Sequence, residues 1–366
     1  MRGILAVIVV MIVLMGMVEC KKEEAKVACY YIFGDSLSDA GNNNQLNTLA
    51  KANYPPYGLD FPGGVPTGRF SNGLTFVDRI TELLGFKEYI PPYSTAKGKQ
   101  ILKGVNYASG AAGIRSETGQ HLGERISMDE QLKNHAVTIA KLLWYAPLTG
   151  LLNLKKCLYT VNMGSNDYIN NYFNPDHYSS SSLYTPEEYA ELLTTQYAVQ
   201  LKKLYYLGAR KVAVFGLGLV GCSLGEIYSF GTNGSLCVDK INYAVQLFNE
   251  KLIGVVDDLN SKLSGAQFTF IGSGGSSDTG TAVVNAPCCK VREDFQCVES
   301  NTVCEDRNNY IFFDGYHTTE LVNILAAETA YSAPNSNAVH PVDIKTLIST
   351  NKHFIANPSS TSVSSE

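Results

Sequence analysis

The stretch Cys29-Tyr30-Tyr31-Ile32-Phe33-Gly34-Asp35-Ser36-Leu37-Ser38-Asp39-Ala40-Gly41-Asn42-Asn43 decides how this chain is read. Its first five residues are apolar and rich in aromatic and β-branched side chains, which predicts the first strand of the folded unit. Gly34 ends the run, and Asp35 and Ser36 then place a carboxylate and a hydroxyl just beyond the strand. Alone, Gly-Asp-Ser also makes turns and helix caps, with Asp35 or Ser36 capping a helix near Leu37. Its meaning depends on what other segments bring to the same place.

Working outward, residues 105–108, 158–162, 211–215, 268–271 and 310–313 are further strand-like apolar runs. Amphipathic stretches lie between them. Leu74, Val77, Ile80 and Leu84 keep helical spacing, and Ser127 with Glu130 reads as a capping box. Thr185-Pro186-Glu187-Glu188 is a helix start that should run to Gly208, and residues 239–263 carry one broad apolar face. Strands alternating with helices predict an α/β fold with a mostly parallel sheet covered on both faces. No repeat or linker divides the chain, so a single domain over 28–332 is expected, followed by a tail over 333–366 that ends in a frayed Ser-rich segment.

Composition narrows the function classes. The chain has 366 residues, 45% hydrophobic and 17% charged, enough apolar content for a large core. Its net charge is −5 and no Lys/Arg run occurs, which speaks against nucleic acid as a partner. Arg2, an apolar run from Ile4 to Val18, and Glu19-Cys20 match a secretory signal peptide over 1–20, too short to span a bilayer. Removing Cys20 from the nine cysteines leaves eight, an even number suited to an oxidising compartment. Cys222 and Cys237 are a natural local pair, whereas Cys288, Cys289, Cys297 and Cys304 lack zinc-ligand spacing. Asn233-Gly234-Ser235 is an acceptor sequon for N-glycosylation. A secreted, extracellular protein without stable membrane insertion is expected.

Three other fragments carry chemistry: Ala108-Ser109-Gly110, Gly164-Ser165-Asn166-Asp167 and Asp314-Gly315-Tyr316-His317. Each follows a predicted strand, and ligands of such sheets bind beyond the strands' carboxyl ends. A serine hydroxyl needs a base within reach, and a base needs an orienting group. Of six histidines, only His317 has a carboxylate, Asp314, three residues before it at a helix start. Gly110 alone also fits a permissive turn residue, and Asn166 alone a loop residue bonded to its own backbone. The ordered set of four is what gives them joint weight. Gly216-Leu217-Gly218-Leu219-Val220-Gly221 fits a dinucleotide fingerprint, but neither a helix nor a following acidic residue is predicted, so a tight loop fits better.

Together these blocks resemble the plant-type GDSL esterase/lipases of the SGNH hydrolase superfamily, over residues 31 to 330. The resemblance implies a three-layer α/β/α, flavodoxin-like hydrolase fold. It also implies Ser36 as nucleophile with Asp314 and His317 completing a triad, and an oxyanion hole from Ser36, Gly110 and Asn166. Phe313 and Thr318 stand where the family usually has Trp and Pro, which bears on the shape of the site more than on its chemistry. The activity implied is hydrolysis of a small-molecule or lipid ester, without metal or organic cofactor. Two rivals share the parts: an acyltransferase that forms polyesters from the same acyl-enzyme, and a non-catalytic binding protein on the hydrolase fold.

Overall fold

The computed structural model describes residues 25–147, 149–272, 282–333 and 338–350. The expected leader over 1–20 and the Ser-rich end lie outside them. Among the described residues six strands form one sheet: β1 (Tyr30–Gly34), β2 (Gly104–Asn106), β3 (Leu158–Asn162), β4 (Lys211–Phe215), β5 (Gln267–Ile271) and β6 (Val339–His340). Their order is β2-β1-β3-β4-β5-β6. The first five are parallel, and β6 closes the edge antiparallel to β5.

Strand side chains alternate between two faces, and both faces are apolar because both are covered. Tyr31, Phe33, Tyr159, Val161, Val212, Val214 and Phe268 point to one side, where α2 (Met128–Tyr145), α4 (Pro186–Tyr206) and α6 (Asp239–Lys262) pack. Tyr30, Ile32, Leu158 and Ala213 point to the other, against α1 (Phe76–Leu83), α7 (Glu320–Tyr331) and α8 (Ile344–Ser349). The result is a three-layer α/β/α molecule. Burial of each large side chain in these layers contributes about 1.5–3 kcal/mol relative to exposure.

The helix signals are realised physically. At α4, the Thr185 N–H donates to the Glu188 carboxylate (2.8 Å) and the Glu188 N–H to the Thr185 hydroxyl (3.3 Å). Two otherwise unpaired donors are satisfied in this way. At α2, the Ser127 N–H donates to Glu130 (2.9 Å). The α4 helix stops where Gly208 takes φ 109°, as the sequence suggested.

Three expectations are corrected. Residues 310–313 form no strand of the sheet. Their backbone bonds run to a neighbouring loop instead: Ile311 N–H to Val283 O (3.1 Å), Cys288 N–H to Phe312 O (3.0 Å) and Cys289 N–H to Phe313 O (3.0 Å). The packed unit also continues past residue 332, because β6 pairs with β5 and α8 buries Ile344 and Leu347 beneath the sheet. Finally, a short helix, α5 (Leu224–Phe230), follows the Gly216–Gly221 turn, where the sequence predicts a loop and no helix.

Candidate active site

Ser36 sits in the turn after β1, at the carboxyl edge of the sheet, and is partly exposed. The Leu37 N–H donates to Asp35 Oδ1 (3.0 Å), and this small Asx turn presents the Ser36 hydroxyl outward. It replaces the helix cap that Gly-Asp-Ser also allows. Asp35 is buried with its second oxygen unpartnered among the described residues. Burial pushes its carboxyl up to about 7, against the opposing pull of the Leu37 N–H and the His317 charge.

His317 arrives from a loop just before α7, and its Nε2 lies 2.8 Å from Ser36 Oγ. Its Nδ1 lies 2.8 and 2.9 Å from the two Asp314 oxygens. With Nδ1–H donating to the carboxylate, Nε2 is left as the acceptor that faces the serine. Asp314 is fully buried, and burial works to raise its carboxyl. The His317 charge and hydrogen bonds from His317, Tyr57 and the Tyr316 N–H outweigh that effect and hold it below the usual range. The Tyr57 hydroxyl donates to Asp314 Oδ2 (2.6 Å) and accepts from the Cys297 N–H (3.1 Å). The Phe70 ring lies against the His317 ring, with centroids 4.8 Å apart.

Asn166 opens the turn after β3. One of its amide hydrogens goes to Ala112 O (3.0 Å), while its Oδ1 accepts from Asn170 (2.7 Å), which fixes the flip of the amide. The second amide hydrogen has no partner among the described residues. Gly110 lies close by, where an added Cβ would come within 2.8 Å of Phe70 and Asn43. Its N–H, however, donates to Asp39 Oδ2 (3.0 Å). The structure thus brings Ser36, Asp314 and His317 into direct contact, while the Gly110 donor is engaged by a buried carboxylate.

The Asn-rich residues after Ser36 explain how the separate segments are tied. Asp39 also accepts from Gly41 N–H (2.7 Å) and Asn42 N–H (2.8 Å). Asn42 donates to Asn106 O (3.0 Å) and Ala108 O (2.7 Å), and Asn43 to Gly110 O (3.1 Å). Asp167 takes N–H bonds from Ile114 (2.8 Å) and Arg115 (3.0 Å) and a hydroxyl bond from Thr118 (2.7 Å). Burial pushes Asp39 and Asp167 up to about 6, with these donors opposing it.

The model for the GDSL-like lipase/acylhydrolase family matches residues 30–330. The chain belongs to that family. It is 46% identical over 351 residues to GDSL esterase/lipase At1g29660 of Arabidopsis thaliana, covering 92% of this chain and 96% of that one. At1g29670 of the same plant is 47% identical across 88% of this chain and 92% of its own, and At5g45670 is 44% identical across 93% and 98%. This GDSL family member is accordingly a carboxylic ester hydrolase.

Some of its site residues carry no sequence signal of their own. Tyr57 falls in the proline-rich loop Tyr54-Pro55-Pro56-Tyr57-Gly58, and its phenol is bonded to the buried Asp314 carboxylate. Asp39 reads as part of a turn, and only its bond to Gly110 across 71 residues reveals its reach. Cys288, Cys289, Cys297 and Cys304, which lack zinc-ligand spacing, form two disulfides, Cys288–Cys304 and Cys289–Cys297, and Cys222 pairs with Cys237 as its spacing suggested.

Proposed function

We propose that this chain is a secreted serine esterase/lipase that works through an acyl-enzyme on Ser36. The observation that carries the reading is the 2.8 Å contact of His317 Nε2 with Ser36 Oγ, backed by the 2.8 Å bond from Nδ1 to Asp314. In the first half-reaction, Ser36 Oγ bonds to the ester carbonyl carbon as His317 Nε2 takes its proton. The tetrahedral intermediate then expels the alcohol, which leaves with that proton. In the second half-reaction, water attacks the acyl-enzyme, gives a proton to His317, and Ser36 is regenerated as the acid departs. Asp314 holds the imidazole in its reactive tautomer and stabilises the imidazolium. The proton count closes without a cofactor.

The oxyanion is assigned to the Ser36 N–H and the uncommitted amide hydrogen of Asn166. Gly110 is the third donor, sharing its N–H between Asp39 and the developing charge. Export is supported by the leader-like start of the sequence and by four disulfides, including Cys29–Cys157. Asn233, exposed in a turn with φ 50°, is the proposed glycosylation site. The hydrolase domain begins near residue 28.

The test is labelling with a fluorophosphonate probe. Wild type should label and hydrolyse short p-nitrophenyl esters, and Ser36→Ala should do neither while keeping its unfolding temperature. A wild type that is unlabelled and inert on every acyl length would sink the acyl-enzyme reading.

A further inference from the structure

The end of the molecule away from Ser36 carries an unusual surface. From Gln131 to Asn166 the sequence holds Lys133, Lys141, Lys155 and Lys156 and no carboxylate, in a chain whose net charge is −5. The α2 helix starts beside the carboxyl end of β1, where Gln131 Nε2 donates to Gly34 O (2.8 Å). It then runs down the sheet, past His135 among the Tyr31 and Tyr159 rings, to Tyr145. A short helix, α3 (Gly150–Leu154), leads on to Leu158, whose partners Tyr30 and Lys211 both begin their strands. Residues 143–147 and 149–156 therefore lie at the amino edge of the sheet, opposite the Ser36 edge.

At that edge Trp144 is 85% exposed and Leu152 65%, with Leu143 and Tyr145 exposed beside Trp144. Lys155 and Lys156 are exposed next to them and have no ion-pair partner among the described residues. Directly after them, Cys157 is crosslinked to Cys29, so the lysines stand on a fixed mount. An apolar cluster with tryptophan and tyrosine, rimmed by lysines, has the chemistry of the lipid headgroup boundary. Aromatic rings sit at that level, aliphatic side chains enter the acyl region, and ammonium groups meet anionic headgroups.

We propose that this edge is a docking surface for an anionic lipid bilayer, seated by Trp144, Leu143, Tyr145 and Leu152 and held by Lys155 and Lys156. A second copy of the chain fits poorly, because a symmetric contact would gather the unpaired lysines of both copies into one interface to which residues 131–166 bring no carboxylate. Acidic polysaccharide would satisfy the lysines but leave the two leucines without a role. Docking here is peripheral, and it leaves the Ser36 edge turned away from the membrane and open to soluble esters.

Trp144 is the chain's single tryptophan, so intrinsic emission reports on this patch directly. The full chain is titrated with vesicles of phosphatidylcholine containing about 30% phosphatidylserine, and with phosphatidylcholine alone. A blue shift and co-sedimentation are expected with the anionic vesicles only, weakening as salt is raised. Lys155→Glu/Lys156→Glu should weaken partitioning by about tenfold or more. Leu152→Ser should weaken it while leaving hydrolysis of a soluble short ester unchanged. Unchanged emission with anionic vesicles, or binding indifferent to the charge reversal, overturns the proposal. So does a blue shift that follows protein concentration without lipid, which would indicate self-association. Because soluble-ester hydrolysis is measured on the same samples, failure here is separable from failure of the acyl-enzyme reading.

Discussion

Asp314 satisfies three demands at once: it orients His317, it accepts the Tyr57 hydroxyl, and it takes the N–H groups of Tyr316 and His317 (both 2.8 Å). A buried carboxylate with this many donors stays ionised where burial alone would neutralise it. Hydrogen bonds to charged groups contribute about 1.5–3 kcal/mol, so Tyr57→Phe should lower kcat roughly tenfold with little change in KM. Asn166→Ala removes the uncommitted amide hydrogen proposed for the oxyanion, together with the bonds to Ala112 O and Asn170, and on that proposal should cost about 10²–10³ in kcat. Steady-state kinetics on one soluble ester ranks the two. If Tyr57→Phe stays within about twofold of wild type, its phenol is merely packed. The meeting of Ser36, His317 and Asp314 is legible in the sequence because His317 alone among six histidines has a carboxylate three residues before it. Tyr57 is not, because a phenol beside two prolines looks the same whether it packs or donates.

Elements differ in legibility for a physical reason. β3 and β4 coincide with the apolar runs at 158–162 and 211–215, since strands buried on both faces need uninterrupted apolar residues. Residues 310–313 show the same pattern but pack beneath a disulfide loop, where Phe313 meets Cys288, Cys289 and Cys297. Periodicity cannot separate these two ways of hiding apolar side chains. That loop braces the Asp314–His317 segment: Cys297 N–H reaches Tyr57 (3.1 Å) and Gly315 N–H reaches Phe295 O (2.8 Å). Removing the Cys289–Cys297 bridge as Cys289→Ala/Cys297→Ala should cost about 2–3 kcal/mol of stability and also slow fluorophosphonate labelling. Cys222→Ala/Cys237→Ala removes a bridge of sequence separation 15 and should cost about as much stability, about 3 kcal/mol, yet leave labelling near wild type. Equal slowing in both variants would mean that labelling follows global stability and not the loop's grip on Asp314.

Across the whole molecule, buried ionisable groups set how stability depends on pH. Burial raises Asp35 and Glu226 to about 7 and Asp39 and Asp167 to about 6. Unfolded carboxyls titrate near 4, so between pH 4 and 6 the folded chain holds protons that the unfolded chain has lost. That contribution is complete below about pH 4 and disappears as pH rises through 6 to 7. His135 works in the opposite direction. Burial among aromatic rings lowers it to about 3, so its contribution is complete above about pH 6.5 and is lost as pH falls. His121, lowered to about 4 by burial and by His177, adds in the same sense, though solvent screens it. Four carboxyls outweigh one fully buried imidazole and one half-buried one, leaving the folded chain with the excess of protons near pH 5. Stability should therefore rise by about 1–2 kcal/mol per pH unit on going from pH 6.5 to 5. Below pH 4 it should fall, as Asp314 and other carboxyls held low by their partners become protonated. Thermal unfolding across that range checks the sign: a midpoint at pH 5 a few degrees above that at pH 7 is expected. A midpoint that climbs steadily from pH 5 to 7 would mean that the buried carboxyls remain ionised in the folded molecule.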